Sequence, residues 1–387
     1  MTAQASLLMP QTRVVVGGKW VVRQPNTFDG MILTKQKPYA DATNLVVVVD
    51  EVGMMTTLQA HCLMDKYRNA TILLVGDCAQ LKPVGGVPYI GSHDYCVSLS
   101  MPETERLTEV MLSSQMRIDL DDENGTSLAQ FLRDIRMGEF TKHVQHTLYR
   151  LSRAPAFNAA SDTDALVIAF TNKDVASTNR ECTVAYAADN SKAVEWFPVR
   201  MSEVTDPRRF YGDSPAGMMG PFCEGLRCVI TQNIKEDGMI VAANNQPVVL
   251  KHVLTTQGVC ADAGAIVATV SLESGGDIDL QARRDGSPPL RPAFAGTMYI
   301  VQGTTTHRRI FVNMNACTGD GLYVAFSRVK KLDQLAGISN YDMQRVIREL
   351  EKMQTGITAA AAMAKRARLD KQQRKQELEK RKRAINE

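Results

Sequence analysis

Paired thiols are the first thing this sequence lacks. Its eight cysteines lie scattered through 387 residues without one C-x-x-C pair, Cys223 and Cys228 coming closest. His143 and His146 have neither a thiol nor a third imidazole near them in the sequence, so the ligand spacing of a zinc site is missing. A reduced interior suits this pattern better than a disulfide framework. Long apolar runs are missing too, and the first residues carry no signal-peptide pattern. The sequence therefore predicts an intracellular protein, cytoplasmic or nuclear, with no membrane among its partners. Strong net charge is the last absence, since the chain sums to only +3. That figure hides an asymmetry. Between Lys365 and Arg383 stand ten basic residues and three acidic ones, a surplus of seven that leaves the rest of the chain at −4. The body is thus no bulk polycation, and any nucleic-acid contact there must be a local groove.

What is present centres on Leu45–Gly86. Two apolar runs, Leu45–Val49 and Ile72–Val75, each end at an acid, Asp50-Glu51 and Gly76-Asp77. Continuous Val/Ile/Leu runs predict parallel strands buried on both faces. Met55, Leu58 and Cys62 between them fall at helical spacing, which gives strand–helix–strand. A right-handed crossover then brings both acids to one sheet edge, where open α/β sheets bind ligands. Either acid alone would serve equally well as a helix cap.

The second run continues as G-D-x-x-Q-L-x-P-V-G, with Gln80 three residues beyond the acid. This string, following D-E-x-x-M, resembles motifs II and III of superfamily 1 DNA helicases, in the 5′-to-3′ PIF/RecD-like branch. The family commonly has Ser where this chain has Gly53. Further on, L-S-S-Q-M-R-I resembles motif IV of the same branch and puts Arg117 at the family's phosphate-facing arginine, a role suited to a planar, permanently charged fork. Asp122–Thr126 then caps a predicted helix with Leu128, Phe131, Leu132 and Ile135 on one face.

Residues 1–44 contain no G-x-x-x-x-G-K-[ST] phosphate loop (Walker A). The nearest stretch, Val14–Trp20, has Gly17-Gly18-Lys19 after an apolar run, but lacks the earlier loop glycine and carries Trp20 where a hydroxyl would hold magnesium. It reads as a surface turn. The resemblance thus begins after the family's phosphate loop, leaving an upstream segment, a second polypeptide or an inactive motor as the explanations.

A second domain opens with a buried run, Ala165–Phe170, leading into Thr171-Asn172 and, a helix-length on, Asn179. The family's second motor domain opens in a similar way. Gly225–Val241 resembles the family's strand–Asn–Gly element, with Asn244-Asn245 at the Asn-Gly position, and residues about 246–290 alternate like a small β insertion. Ala293–Gly303 and LYVAFSR resemble motifs V and VI. Thr297, Gln302 and Gly303 match the former, with Tyr299 and Ile300 replacing its His and Lys; Tyr323, Ser327 and Arg328 match the latter. Arg328, at the end of a run read as a Val/Ala strand, stands at the position of an arginine finger. From Tyr341 the chain reads as helical, ending in the basic clusters Lys365–Arg368 and Lys380–Arg383, compatible with a nuclear address or phosphate contacts.

The resemblance implies an α/β fold of two RecA-like parallel-sheet lobes, the first incomplete at its N-terminus, the second carrying the β insertion, followed by a helical basic tail. Residues 1–120 would form the first motor domain, 121–160 a helical hinge, 161–340 the second domain and 341–387 the tail. It implies an ATP-dependent DNA helicase or translocase acting on single-stranded and forked DNA in replication, repair or recombination, with ATP and Mg²⁺ as cofactors. Asp50 would hold the metal and Glu51 would activate the attacking water. Gln80, Arg117, Gln302, Gly303 and Arg328 would face the nucleotide, and Thr171, Asn172, Thr297 and Tyr299 the DNA strand. The alternative is a non-catalytic DNA-binding or accessory protein derived from such a motor.

Overall fold

The structure, a computed structural model, describes residues 12–16, 19–23, 46–67, 70–77, 79–83, 117–162, 164–198, 219–236, 239–254, 264–273, 275–284 and 286–358. The second half of motif III from Val84, most of the L-S-S-Q-M-R string before Arg117 and both basic clusters of the tail lie outside these residues. Thr12–Val16 (β1) and Lys19–Arg23 (β2) pair antiparallel, Val16 opposite Lys19. Lys19 thus belongs to a strand, whereas the lysine of a phosphate loop opens a helix.

Val46–Val49 (β3), Thr57–Lys66 (α1) and Thr71–Leu74 (β4) form the expected strand–helix–strand unit, with β3 and β4 parallel from Val46 opposite Thr71 to Val49 opposite Leu74. A capping box starts α1: Thr56 Oγ1 accepts from the Gln59 N–H at 3.2 Å and Gln59 Oε1 from the Thr56 N–H at 2.9 Å. Each pairing satisfies a donor that a helix start otherwise leaves orphaned.

Two expectations are corrected here. Burial on both faces does not hold, because Val47 and Val49 are buried while Val46, Val48 and Leu73 are 58%, 49% and 52% exposed. Among the described residues β3 and β4 pair only with each other, so alternate side chains face outward. The helix spacing also gave the wrong inner face. Leu58 and Cys62 are exposed, while Ala60 and Leu63 are buried and Met55 is buried just ahead of the helix. The capping box sets this phase by fixing the first helical residue at Thr57.

Glu123–Arg136 (α2) follows, capped by Asp122, whose Oδ1 accepts from the Asn124 N–H at 3.2 Å. Leu128, Phe131, Leu132 and Ile135 form its buried stripe, as the spacing predicts. Next comes Lys142–Ser152 (α3). Leu166–Ala169 (β5) leads into Asn172–Asp189 (α4), capped by Thr171 Oγ1 on the Asp174 N–H at 3.1 Å. Glu195–Pro198 (β6) and Met219–Phe222 (β7) pair antiparallel.

Arg227–Ile230 (β8) enters a five-stranded antiparallel sheet and is followed by the hairpin of Ile234–Glu236 (β9) and Met239–Ala242 (β10). Its other strands are Pro247–Val253 (β11), Ile266–Leu272 (β12), Asp277–Gln281 (β13) and Leu290–Pro292 (β14), in the order β13-β12-β11-β8-β14. The β insertion is thus one sheet that also takes in β8 and β14, around a core that includes Leu226, Cys228, Ile230, Leu250, Val270 and Leu280. Asn245, in the turn before β11, has φ +66°. The family's glycine position needs a left-handed residue, which asparagine supplies more readily than most side chains.

Ala295–Thr297 (β15), Met298–Val301 (α5), Ile310–Asn313 (β16), Gly319–Phe326 (α6), Leu335–Ser339 (β17) and a helix over 343–358 (α7) complete the described chain. β15, β5, β16 and β17 form a parallel sheet in that order. The L-Y-V-A-F segment is a helix, not the strand read from its Val/Ala content. Thr318 Oγ1 caps it on the Gly321 N–H at 3.3 Å, and Phe326 packs edge-on against Phe131 with centroids 5.2 Å apart. Tertiary packing overrides the β propensity of Tyr323, Val324 and Phe326.

The chain divides into two compact units. One comprises residues 1–28, 147–316 and 328–342, the other 29–146, 317–327 and 343–387. No described helix is long and apolar enough to cross a membrane.

Candidate active site

In the second unit, parallel pairing aligns the ends of β3 and β4, and the two turns beyond them are laced together. The Val75 N–H donates to Val49 O at 2.8 Å and the Val52 N–H to Val75 O at 3.0 Å. The turns approach so closely that a Cβ on Gly76 would lie 2.8 Å from Val52 Cγ1 and 2.9 Å from Val52 N. A Cβ on Gly53 would lie 3.1 Å from Asp77 O. Glycine where the family has serine therefore suits the tight contact at this position.

Glu51 has φ +53° and ψ +43°, the left-handed region, in a residue type that rarely adopts it. Strain of this kind costs on the order of 1–3 kcal/mol and concentrates at functional sites. Asp50 Oδ1 accepts from the Glu51 N–H at 2.9 Å, which steadies the strained peptide. Both side chains are half-buried.

Asp77 is held by donors from three segments of the unit. Its Oδ1 accepts from the Ala79 N–H at 3.0 Å and from Arg136 Nη2 at 2.9 Å, and its Oδ2 from the Tyr323 hydroxyl at 3.1 Å. Burial pushes this carboxyl up, but Arg136, the Ala79 N–H and Tyr323 together outweigh burial and hold it below the usual carboxylate value. The Gln80 N–H donates to Asp77 O at 3.1 Å. Gln80 Oε1 is buried and has no hydrogen-bond partner among the described residues. A buried orphan acceptor costs about 1–3 kcal/mol and marks a place where a donor belongs. Arg117 is exposed, and its Nη1 lies 3.4 Å from Ser327 O at the end of α6.

The remaining predicted residues lie in the first unit. Thr171 is occupied as the α4 cap, and Asn172 beside it is exposed. Thr297 and Gln302 are buried at the two ends of α5, Tyr299 is half-buried, and Gly303 has φ +76°. Arg328 is 2% exposed, with Nη1 3.0 Å from Thr304 O and 3.4 Å from Val301 O. In this structure its guanidinium holds the turn after α5, which carries Gln302. Asn179, buried on α4, bonds both backbone groups of Ala295, accepting from its N–H at 2.8 Å and donating to its O at 3.2 Å. It acts as one more strand partner for β15.

Comparison with known proteins places this geometry. Residues 20–146 match the family described as AAA domain. Among solved structures, Pif1 helicase from Candida albicans superposes with a TM-score of 0.53 at 14% identity, covering 84% of this chain and 82% of that one. The fold is that of the Pif1 helicases. A Pif1 helicase from Bacteroides in complex with ADP-AlF3 and ssDNA gives a TM-score of 0.53 at 16% identity over 78% of this chain and 72% of that one. A structure described as the basis for unwinding forked dsDNA by two coordinating Pif1 helicases gives 0.55 at 15% identity over 78% and 70%. No curated protein sequence matches the chain. The sequence reading placed Asp77 at the sheet edge and Tyr323 in motif VI but gave neither a role, and it did not single out Arg136. Arg136 gave no signal beyond a basic residue in a last helical turn.

Proposed function

We propose that this chain is an ATP-dependent DNA helicase or translocase that couples ATP hydrolysis to movement along single-stranded DNA and unwinding of forked duplex. The observation that carries the proposal is the edge where β3 and β4 end, with strained Glu51, clamped Asp77 and the unsatisfied acceptor of Gln80 in one small region of a Pif1-type fold. Relatives of that fold have been described with ADP-AlF3 and ssDNA and at forked dsDNA.

The residues present fit the water-handling end of a nucleotide site. Magnesium in such sites keeps several waters and takes one or two carboxylates. Asp50 would hold it, and among the described residues no cluster of three or more His, Cys, Asp or Glu offers a metal cage. The bound metal would neutralise charge on the phosphates. Glu51 would accept the proton of the attacking water, and Gln80 Oε1 would accept a hydrogen bond from that water and orient it. Arg117, Gln302 with Gly303, and Arg328 would answer to the state of the γ-phosphate. Arg328 would leave its carbonyl partners to do so. Thr171, Asn172, Thr297 and Tyr299 would face the DNA strand.

Lys19 in an antiparallel strand favours a second reading, a non-catalytic DNA-binding protein of the same fold. ATP turnover by the purified chain, with and without single-stranded DNA, separates the two. Stimulated turnover supports the motor; DNA binding without turnover supports the second reading.

A further inference from the structure

We propose that Asp77 is the positioning residue of this site, gripped by Arg136 of α2 and Tyr323 of α6 so that the turn presenting Gln80 is fixed to the helix that ends at Ser327. The inference rests on the hydrolase reading above and adds to it three residues and a route of communication.

Asp77 could cap its own turn with the Ala79 N–H alone, as aspartates commonly do. Here donors from two distant segments converge on it as well. Arg136 reaches Oδ1 at 2.9 Å from 59 residues away, and Tyr323 reaches Oδ2 at 3.1 Å from 246 residues away. Two hydrogen bonds inside the turn, Ala79 N–H to Oδ1 and Gln80 N–H to Asp77 O, transmit that grip to the peptide that carries Gln80. A carboxylate with charged and neutral donors on both oxygens has little rotational freedom. The Gln80 acceptor is therefore held in place before any donor meets it, which is the preorganisation a water-orienting group needs.

Two polar contacts tie helix α6 to this region. Its Tyr323 hydroxyl holds Asp77, and its last carbonyl, Ser327 O, faces Arg117 Nη1. A shift of α6 would move the Gln80 turn and the Arg117 head together. Tyr323 thus joins the Gln80 turn to α6 through its phenolic hydroxyl.

The test compares the parent chain with Tyr323→Phe, Asp77→Asn and the double variant. Steady-state ATP hydrolysis is read with and without single-stranded DNA, alongside hydrogen exchange over residues 79–83. Tyr323→Phe should lower DNA-stimulated kcat about tenfold, the equivalent of one hydrogen bond, with KM for ATP within about twofold of the parent. It should also raise amide exchange at Ala79 and Gln80. The double variant should be no slower than Asp77→Asn alone, since both remove one linkage. Unchanged exchange and kcat in Tyr323→Phe, or losses that multiply in the double variant, overturn the inference while an active parent leaves the hydrolase reading standing. A parent chain without ATP turnover overturns that reading, and this inference with it.

Discussion

Tyr323 and Asp77 are joined by a 3.1 Å hydrogen bond, although the helix carrying one and the turn carrying the other are 246 residues apart. The bond forms within one compact unit, because the chain returns to it at residues 317–327 after building most of the other. The part of motif VI that precedes Arg328 is therefore packed against motif III.

The clamped carboxyl of Asp77 makes stability depend on pH in a stated direction. Its folded-state value lies below that of the unfolded chain, since Arg136, Ala79 and Tyr323 outweigh burial. The stabilisation is then complete above the unfolded value and shrinks as pH falls through the folded one. Thermal unfolding of the parent and Asp77→Asn should differ most near neutrality and converge in acid. A gap that widens as pH falls contradicts the clamp.

Glu51 should oppose stability and activity. Replacing it with Gly removes the left-handed penalty and should stabilise the chain by about 1 kcal/mol in denaturant unfolding. The same change should abolish ATP turnover. A loss of stability in Glu51→Gly would mean the side chain holds the turn instead of straining it.

Gly76 and Gly53 should differ in tolerance. Gly76→Ala forces a Cβ to within 2.8 Å of Val52 Cγ1 and 2.9 Å of Val52 N, the latter a backbone atom that has no room to yield. A cost of about 1–3 kcal/mol is expected from such overpacking. Gly53→Ala meets Asp77 O at 3.1 Å and needs a shift of only tenths of an ångström. Urea midpoints should rank parent, Gly53→Ala, Gly76→Ala, with the larger drop at the last.

Asn179→Leu should cost about 2–4 kcal/mol, since it removes two buried hydrogen bonds and leaves both backbone groups of Ala295 unpaired. Far-UV circular dichroism during urea unfolding reads the change. A difference below about 0.5 kcal/mol would show that β15 holds its place without the bridge.

Much of the fold was legible in the sequence, for reasons visible in particular residues. The strand–helix–strand unit showed itself because each apolar run stops at an acid. Helix α2 showed itself because Asp122 precedes a clean apolar stripe. The inner face of α1 stayed hidden, since the Thr56–Gln59 box, and not the run Met55, Leu58, Cys62, sets its phase. Helix α6 was misread because Val and Ala beside Tyr look like a strand until Phe131 supplies a packing partner. Arg328 stood out in the sequence only through its motif, and its bonds to Thr304 O and Val301 O depend on a turn that no local pattern announces. The clamp on Asp77 needed donors 59 and 246 residues away, beyond the reach of any spacing rule.

The most direct measurement is ATP hydrolysis by the purified chain with single-stranded DNA present, set beside Glu51→Gln. The account predicts stimulated turnover in the parent and a loss on the order of a thousandfold in Glu51→Gln, with DNA binding retained. Equal turnover in both proteins, or none in either, would contradict it.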